Sequence, residues 1–387
     1  MRNVGVLGYG MLPVGEHWGQ STLELAGAAV QAVRQDAGVD SVDLLVVANM
    51  LAACGRHGQL NLGAQIADWS GLRGIEAFKA ESACASGGSA FRTGWLAVAS
   101  GQVDVALVVG VEKMTETLVS EVTLGLASAA DADFEVPHGP SFVALNALIM
   151  QRYMYEYGWK HEDFAPFSIV AHDNASRNPY ARLQDRISAE AYRKARMICD
   201  PINLLDASPI GDGAAAVLLA PLDRFSPRSG RAPLRVAGSA SATDSLAIHD
   251  RREPLRLQAA EESAARAYAM AGVGPKDIDF FELHDAFSIM SALSLEAGGF
   301  AAPGQGPRMG LDGELGADGR LPIATHGGLK ARGHPVGATG VYQIVEVVRQ
   351  LWGEAGRNQL SRAHLGMAQN VGGSGATIVT TILQSLH

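Results

Sequence analysis

Short runs of Val, Ile and Leu recur along the chain and predict buried β-strands. A helical repeat of apolar positions over Leu23–Ala37 separates the first two runs. Strands that alternate with helices predict an α/β layered fold. The runs span Val4–Leu7, Val42–Val47, Val103–Val109, Ala214–Leu219, Leu234–Val236, Ile278–Leu283 and Ala376–Ile382.

Part of this pattern occurs twice. An Ala-Gly-Val triplet at 37–39 lies just before one predicted strand, and a second triplet at 271–273 lies just before another. The strands that begin at Val4 and Leu234 stand at a similar offset. Matches in the same order predict two pseudo-symmetric halves built from a duplicated βαβ-type unit. The alternative is that Ala-Gly-Val simply ends many helices.

The region 118–200 has no counterpart in the second half and is rich in tyrosine. It predicts a loop domain inserted into the first half, and insertions of this kind often shape substrate access. We therefore expect an N-terminal half at 1–117 plus 201–225, the insertion, and a C-terminal half at 230–387. A glycine-rich stretch at 298–320 is predicted to be an exposed loop.

Composition narrows the class of protein. With 387 residues, 47% of them hydrophobic, the chain is long enough for more than one large core. Its net charge of −9 argues against binding to nucleic acid or to an anionic membrane, because both require a basic face. We see neither a secretory leader nor an apolar run long enough to span a membrane. Three sparse cysteines indicate a reduced, cytoplasmic compartment.

The sharpest local feature is Cys84, which lies in the small-residue segment ESACASGG at 81–88, ahead of a helix-like stretch at 90–98. A cysteine at a helix N-terminus lies at the positive end of the helix dipole, which favours the nucleophilic thiolate. A buried structural cysteine is the alternative.

His334 lies in the glycine-rich segment GGLKARGHPVGATG at 327–340, ahead of a helix predicted to be amphipathic. A histidine on such a loop can act as a base or as a donor to an oxyanion. A glycine turn that the histidine merely caps is the alternative.

Two further segments carry polar groups directly after short apolar segments. His284 and Asp285 directly follow an apolar strand, the usual place of catalytic groups in α/β folds, although a strand-ending turn is the alternative. The segment QNVGGSG at 369–375 includes Asn370 and Gly372 and offers backbone N–H groups to an oxyanion. A dinucleotide fingerprint, a P-loop and metal-ligand spacing are not found, so we predict no metal site.

Together, these segments make the chain resemble the thiolases, which make or break 3-ketoacyl-CoA thioesters. Cys84 lies where that family places its acylated cysteine, and the segments at 109–114, 208–215 and 333–340 match further family signatures in the same order. The resemblance implies a five-layered αβαβα fold of two pseudo-symmetric halves with an inserted loop domain.

The chain departs from most thiolases at two places. It has His-Asp-Ala-Phe at 284–287 where most have Asn-Glu-Ala-Phe, a form similar to the archaeal and sterol-carrier-protein-type branch. It has Asn370 where most have a second catalytic cysteine, and Ala286 where the sterol-carrier type places one. Neither Cys54 nor Cys199 matches these positions, so the residue that deprotonates the second acyl-CoA is not identified.

The resemblance implies roles for the remaining groups. Cys84 is expected to attack a thioester carbonyl, with His334 taking the thiol proton or polarising the thioester oxygen. The N–H groups of Cys84 and Gly372 are expected to form one oxyanion hole, and His334 and His284 the other. His284 is also expected to take part of the base role left by the missing cysteine.

Asp285 and Asn370 are expected to act behind these groups by orienting them, with a structural hydrogen bond as the alternative for Asp285. A coenzyme A thioester is expected as substrate, with no tightly bound cofactor. Arg177, Arg182 and Arg193 are candidates for contact with its phosphates.

By resemblance we expect a homodimer or tetramer. A zinc-ribbon/OB-fold protein and a hydroxymethylglutaryl-CoA synthase are implied as possible partners. The main hypothesis is an acyltransferase that forms or cleaves a 3-ketoacyl-CoA, acetoacetyl-CoA first among them. The alternatives are a retro-aldol C–C lyase on a branched or steroid side-chain thioester, and a partner-dependent subunit of a thiolase complex.

Overall fold

The apolar runs and helical repeats form eleven β-strands and eleven α-helices in the computed structural model, which describes residues 2–53, 58–227 and 230–386. Cys54 lies outside the described residues. The strands are β1 Val4–Met11, β2 Leu44–Ala48, β3 Glu76–Ala80, β4 Ala106–Glu112, β5 Met197–Cys199, β6 Ile202–Asn203, β7 Gly213–Pro221, β8 Leu234–Thr243, β9 Phe280–Glu282, β10 Leu365–Gly372 and β11 Thr377–Ser385. The helices are α1 Thr22–Ala37, α2 Leu62–Trp69, α3 Ser86–Ser100, α4 Val119–Ala127, α5 Phe142–Tyr157, α6 Ala165–Ala175, α7 Ala189–Lys194, α8 Gln258–Ala271, α9 Ser288–Ala297, α10 Gly306–Leu311 and α11 Thr339–Leu351.

Each strand expected from an apolar run is present, with bounds shifted by a few residues. The pattern missed β3, which is an edge strand whose residues are only partly buried, so its hydrophobic signal is weak. It also missed β10, in which polar Gln369 and Asn370 are buried along with the apolar residues. Buried polar residues in a strand therefore hid part of the sheet from the sequence pattern.

The sheet repeats one strand order twice. Its order is β3-β2-β4-β7-β1-β8-β11-β10-β9, so β2-β4-β7-β1 corresponds to β9-β10-β11-β8. In both sets the first pair is parallel and the next two pairs are antiparallel. A parallel bridge between Phe281 and Ile323 stands where β3 pairs with β2 in the first set. The two halves are therefore pseudo-symmetric, and β1 and β8 join them through short antiparallel pairing.

The helices pack as layers on these two sets of strands. Helix α1 covers β1, β4 and β7 on one outer side, and α8 covers β8 and β11 on the other. Helices α3 and α11 lie between the sets and contact strands of both. The resulting order of layers is αβαβα. No helix among the described residues is long and apolar enough to cross a bilayer.

Helix α11 differs from its prediction. Every one of its residues is buried, including polar ones, because a helix in the middle layer has protein on all sides. The helix predicted after His334 is therefore present with its apolar positions on one face, but its polar face meets protein rather than water. At its first turn α11 meets α3 so closely that a Cβ on Gly87 would lie 2.6 Å from Gly340 Cα.

The segment between β4 and β7 contains α4 to α7 and the small β5–β6 pair, which places this irregular part of the chain inside the first half. The exact domain bounds stay a prediction. The stretch at 298–320 is not simply an exposed loop, because it contains α10 and buries Met309 and Leu315. The prediction of an exposed loop from the glycine content was therefore wrong.

We predict that Gly340→Ala destabilises the fold by about 1–3 kcal/mol through overpacking, even though alanine favours a helix intrinsically. Its Cβ would lie 2.1 Å from Asn370 Oδ1 and 2.4 Å from Gly88 N. The free energy of unfolding in urea measures the effect. Gly316→Ala is the matched control, since nothing lies within 4 Å of its Cβ. An unchanged or higher stability for Gly340→Ala would show that the crossing tolerates a methyl group.

Candidate active site

Cys84 lies in the tight connection between β3 and α3. Ala83 just before it has a φ of +50°, a left-handed conformation unusual for a residue with a side chain. The Ser86 hydroxyl fixes this turn, because it accepts from Ser82 N at 3.0 Å and donates to Ala83 O at 2.6 Å. The thiol is thereby held in place, with only 5% of Cys84 exposed.

Two histidines from the second half meet this cysteine. His284 follows β9, and His334 precedes α11. The Cys84 thiol and one nitrogen of each imidazole all lie within 4.8 Å of one another. The two rings are nearly perpendicular, with centroids 5.2 Å apart. The structure therefore brings together all three residues that were predicted to be catalytic. The same three groups are close enough to ligate a metal ion, and the absence of a resident metal stays a prediction.

Hydrogen bonds fix both the backbone and the side chain of His334. Its backbone N–H donates to Pro209 O at 3.1 Å, and its Nδ1 lies 2.7 Å from Thr339 Oγ1. The Thr339 hydroxyl also lies 3.3 Å from Pro335 O, to which it donates. Nε2 is therefore the His334 atom left for the site.

Asn370 lies behind the cluster on β10 and is almost fully buried. Its Oδ1 accepts from Gly88 N at 2.9 Å, and its Nδ2 donates to Cys84 O at 2.9 Å. The same Nδ2 lies 3.2 Å from His284 Nδ1. One side chain thus contacts the first turn of α3, the backbone of the cysteine and one of the histidines.

The electrostatics of the site correct one expectation. Burial, together with the nearby Glu112 carboxyl, raises the pKa of the Cys84 thiol to about 12. Loss of hydration therefore disfavours the thiolate that the sequence led us to expect, and the thiol is neutral. Burial lowers the pKa of His284 to about 3 and the pKa of His334 well below its ordinary value. At neutral pH the site holds a thiol beside two neutral imidazoles.

The glycine turn after β10 approaches the thiol. Gly372 ends β10 and packs so closely that a Cβ there would lie 2.4 Å from Ser82 O. The backbone donors to the Cys84 sulfur are its own N–H and that of Gly373, the next residue along. The predicted oxyanion donor at this turn was Gly372, and its role stays a prediction.

Asp285 holds the segment that leads to His334. Its Oδ1 accepts from Leu329 N at 2.7 Å, within the π-helical turn Gly328–Arg332. Burial raises the pKa of this carboxyl. Asp285 therefore lies behind the site and contacts the loop ahead of His334, which fits both an orienting role and a purely structural hydrogen bond, and its role stays a prediction.

Sequence reasoning missed the role of Glu112 at the end of β4. Its buried carboxylate accepts from Met50 N at 2.8 Å, from Gly337 N at 2.9 Å and from Asn49 Nδ2 at 2.8 Å. Burial raises its pKa to about 7. The carboxylate joins the loop after β2 to the turn that follows His334. The sequence did offer a signal for this role, because Glu112 is a charged residue at the end of an apolar strand.

Apolar side chains surround the cysteine on its other sides. Cys84 packs in a cluster with Met50, Met114, Val122 and Val336, among others. Met114 and Val122 also line a cavity of about 760 Å³. An apolar surrounding of this kind suits an uncharged acyl group more than a charged one.

The three arginines proposed for phosphate contact differ in position. Arg177 is held by Asp173, and Arg193 is exposed on α7. Arg182 pairs with Glu16 at 2.7 Å, while its backbone N–H donates to Arg332 O next to the His334 loop. Of the three, Arg182 is the one joined to the site, and all three assignments stay predictions.

Comparison with known proteins gives matches along nearly the whole chain. The family model described as "Thiolase, N-terminal domain" matches residues 4–223, and "Thiolase C-terminal domain-like" matches residues 240–385. An acetyl-CoA acetyltransferase of Methanothermobacter thermautotrophicus is 43% identical over 384 residues, which is 99% of each chain.

Two more distant relatives widen the comparison. Sterol carrier protein 2 of Rattus norvegicus is 30% identical over 80% of this chain, which corresponds to 59% of that protein. A solved structure described as an Ltp2-ChsH2(DUF35) aldolase has a TM-score of 0.84 and 25% identity, and the match covers 99% of this chain and 98% of that one.

We predict that alkylation of Cys84 by iodoacetamide is slow near neutral pH and keeps rising by about tenfold per pH unit to about pH 10, because only the thiolate reacts and its pKa is raised. Quantitative mass spectrometry of the Cys84 peptide measures the rate separately from the other cysteines. A plateau near the pKa of an ordinary thiol, at about 8.5, would mean that the site does stabilise the thiolate.

Proposed function

The chain belongs to the thiolase family, and on that premise we propose that it joins two acetyl-CoA molecules into acetoacetyl-CoA, and cleaves that product in reverse, through an acyl group carried on Cys84. The observation that carries the proposal is the meeting of Cys84, His284 and His334 within 4.8 Å. Similarity over the full length to an acetyl-CoA acetyltransferase supports acyl transfer as the reaction class.

The first half-reaction follows from a neutral thiol beside a neutral imidazole. His334 Nε2 takes the proton as the Cys84 sulfur attacks the thioester carbonyl. Backbone N–H groups at Cys84 and at the turn Gly372–Gly373 would hold the oxyanion of the tetrahedral intermediate. Coenzyme A then leaves as its thiolate and takes the proton from His334, so that a thioester bond to Cys84 replaces the one to coenzyme A.

The second half-reaction needs a carbon nucleophile. An imidazole removes a proton from the methyl group of a second acetyl-CoA, and donors at its thioester oxygen stabilise the enolate. The enolate carbon attacks the acetyl carbonyl on Cys84, and the Cys84 thiolate leaves and is reprotonated. His284 and His334 are the groups that supply the base and the donor.

The proposal extends to the substrate class, the compartment and the oligomeric state. The substrates are coenzyme A thioesters, with no tightly bound cofactor, and the compartment is cytoplasmic. The apolar cluster around Cys84 supports an uncharged acyl group. We also propose a homo-oligomer.

We propose that a zinc-ribbon/OB-fold protein assembles with the chain, together with a hydroxymethylglutaryl-CoA synthase. The structure named for two components, Ltp2 and ChsH2(DUF35), supports an assembled form, because this chain matches it over nearly its whole length. Native co-purification of the candidate proteins tests the assembly.

One observation favours a second candidate function. The solved structure with a TM-score of 0.84 is described as an aldolase, so retro-aldol cleavage of a branched or steroid side-chain thioester is the competing activity. A retro-aldol route needs no acyl-enzyme, whereas this chain retains a positioned Cys84. Turnover of a 3-hydroxyacyl-CoA in place of a 3-ketoacyl-CoA would favour the lyase.

We predict that intact-protein mass spectrometry after mixing with acetoacetyl-CoA shows one added acetyl group on the wild-type chain and none on Cys84→Ala. Cys199→Ala is the matched control and should still acquire the group, since Cys199 lies on β5 outside the cluster. Absence of the group from the wild type would contradict the acyl-enzyme. The same mixture should then be repeated with the candidate partner protein present.

A further inference from the structure

The orientation of the Asn370 amide is fixed by its neighbours. A backbone N–H can only donate and a backbone carbonyl can only accept. Because Gly88 N lies 2.9 Å from one end of the amide and Cys84 O lies 2.9 Å from the other, the first end is the oxygen and the second is the NH2 group. Rotating the amide by half a turn would break both hydrogen bonds.

This orientation decides the state of His284. The Asn370 NH2 group faces His284 Nδ1 at 3.2 Å, so Nδ1 must accept and cannot carry a hydrogen. His284 is fully buried and next to Arg332, and both conditions disfavour an imidazolium. A neutral imidazole with a bare Nδ1 carries its hydrogen on Nε2. The atom of His284 left for the site is therefore a donor.

His334 has the opposite arrangement. The Thr339 hydroxyl has one hydrogen and two close partners, Pro335 O and His334 Nδ1. A carbonyl only accepts, so both contacts form together only if the hydroxyl donates to Pro335 O and accepts from a hydrogen on Nδ1. His334 then has a lone pair on Nε2, and the cluster contains one donor nitrogen and one acceptor nitrogen.

We propose that Asn370 is a positioning residue that holds His284 in its Nε2–H form, so that His284 donates to the thioester oxygen and His334 alone is the base in both half-reactions. This inference rests on the proposed function and assigns the step for which the family's second cysteine is missing. It departs from the expectation that His284 shares the base role.

The proton and electron movements balance under this assignment. The His334 Nε2 lone pair takes a methyl proton from the second acetyl-CoA, and the C–H electrons become the enolate, with its oxygen on His284 Nε2–H. The enolate forms the new C–C bond to the acetyl carbonyl of Cys84. The C–S bond to Cys84 then breaks, and the Cys84 thiolate takes the proton back from His334. No other reactant is required.

Substitution with glutamine separates a donor from a base. A glutamine amide can donate near the place of an imidazole Nε2–H but cannot accept a proton from carbon. We expect His284→Ala to lower kcat by roughly 100- to 1000-fold, the loss typical of one oxyanion donor, and His284→Gln to recover at least about tenfold of it. At the other histidine, His334→Gln should be no better than His334→Ala. Recovery at 334 but not at 284 would overturn the assignment.

Asn370→Asp tests the positioning role with an almost unchanged shape. A carboxylate oxygen facing His284 Nδ1 would draw a hydrogen to Nδ1 and remove the donor at Nε2. We expect kcat to fall about as far as for His284→Ala, while acetyl-CoA still acetylates Cys84, because that transfer forms no enolate. Activity close to that of the wild type would contradict the role.

The tautomer itself can be read without any variant. Nitrogen-15 NMR of the histidine side chains in the wild-type protein should show His284 with hydrogen on Nε2 and His334 with hydrogen on Nδ1, and Asn370→Asp should move the His284 hydrogen to Nδ1. Hydrogen on Nδ1 of His284 in the wild type would overturn the inference even if Asn370→Asp does not fold. A wild type that forms no acyl-enzyme but shows the expected tautomers would refute the proposed function and leave the role of Asn370 standing.

Discussion

The close crossing of α3 and α11 is the contact on which the rest of the site depends. Each of these helices begins immediately after one catalytic loop, so their separation sets the distance between Cys84 and His334. Gly87 and Gly340 permit that separation, because a Cβ on either would enter the backbone of the other helix. Asn370 fills the space left beside them, where its side-chain oxygen accepts from Gly88 N on α3 and lies next to Gly340 on α11. A larger residue at Gly340 would press against both the first turn of α3 and Asn370 on β10.

Buried carboxylates then fix the loops that the crossing brings together. Glu112 and Asp212 each accept hydrogen bonds from several backbone N–H groups, and Asp285 accepts from the turn ahead of His334. Burial removes water from these carboxyl groups, which raises the pKa of Glu112 and of Asp285. The hydrogen bonds that Asp212 accepts instead lower the pKa of Asp212. The reactive groups themselves stay neutral. The site therefore places its carboxyl groups behind the loops and leaves proton transfer to an uncharged thiol and two uncharged imidazoles.

Features that depend on neighbouring residues in the chain could be predicted from the sequence, whereas features that depend on contacts between distant residues could not. The buried strands, the repeated half and the three clustered residues Cys84, His284 and His334 all have local patterns, and the structure contains each of them. Strand β3 was missed because an edge strand buries little. The expected thiolate at Cys84 is disfavoured because burial raises the pKa of the thiol, and burial, unlike position before a helix, cannot be inferred from the local sequence. The state of His284 depends on Asn370, 86 residues away in the chain, and needs the distances between atoms.

The repeated strand order explains why a nucleophile and a base face each other at all. In each half, a middle-layer helix lies along the chain between the two strands of a parallel pair, α3 between β2 and β4 and α11 between β9 and β10. A loop precedes each of these helices. The first half places Cys84 there and the second half places His334 there. Because the helices cross at their first turns, equivalent positions of two similar halves become neighbours. The asymmetry that chemistry requires is then supplied by single side chains: Thr339 leaves His334 an acceptor, and Asn370 leaves His284 a donor.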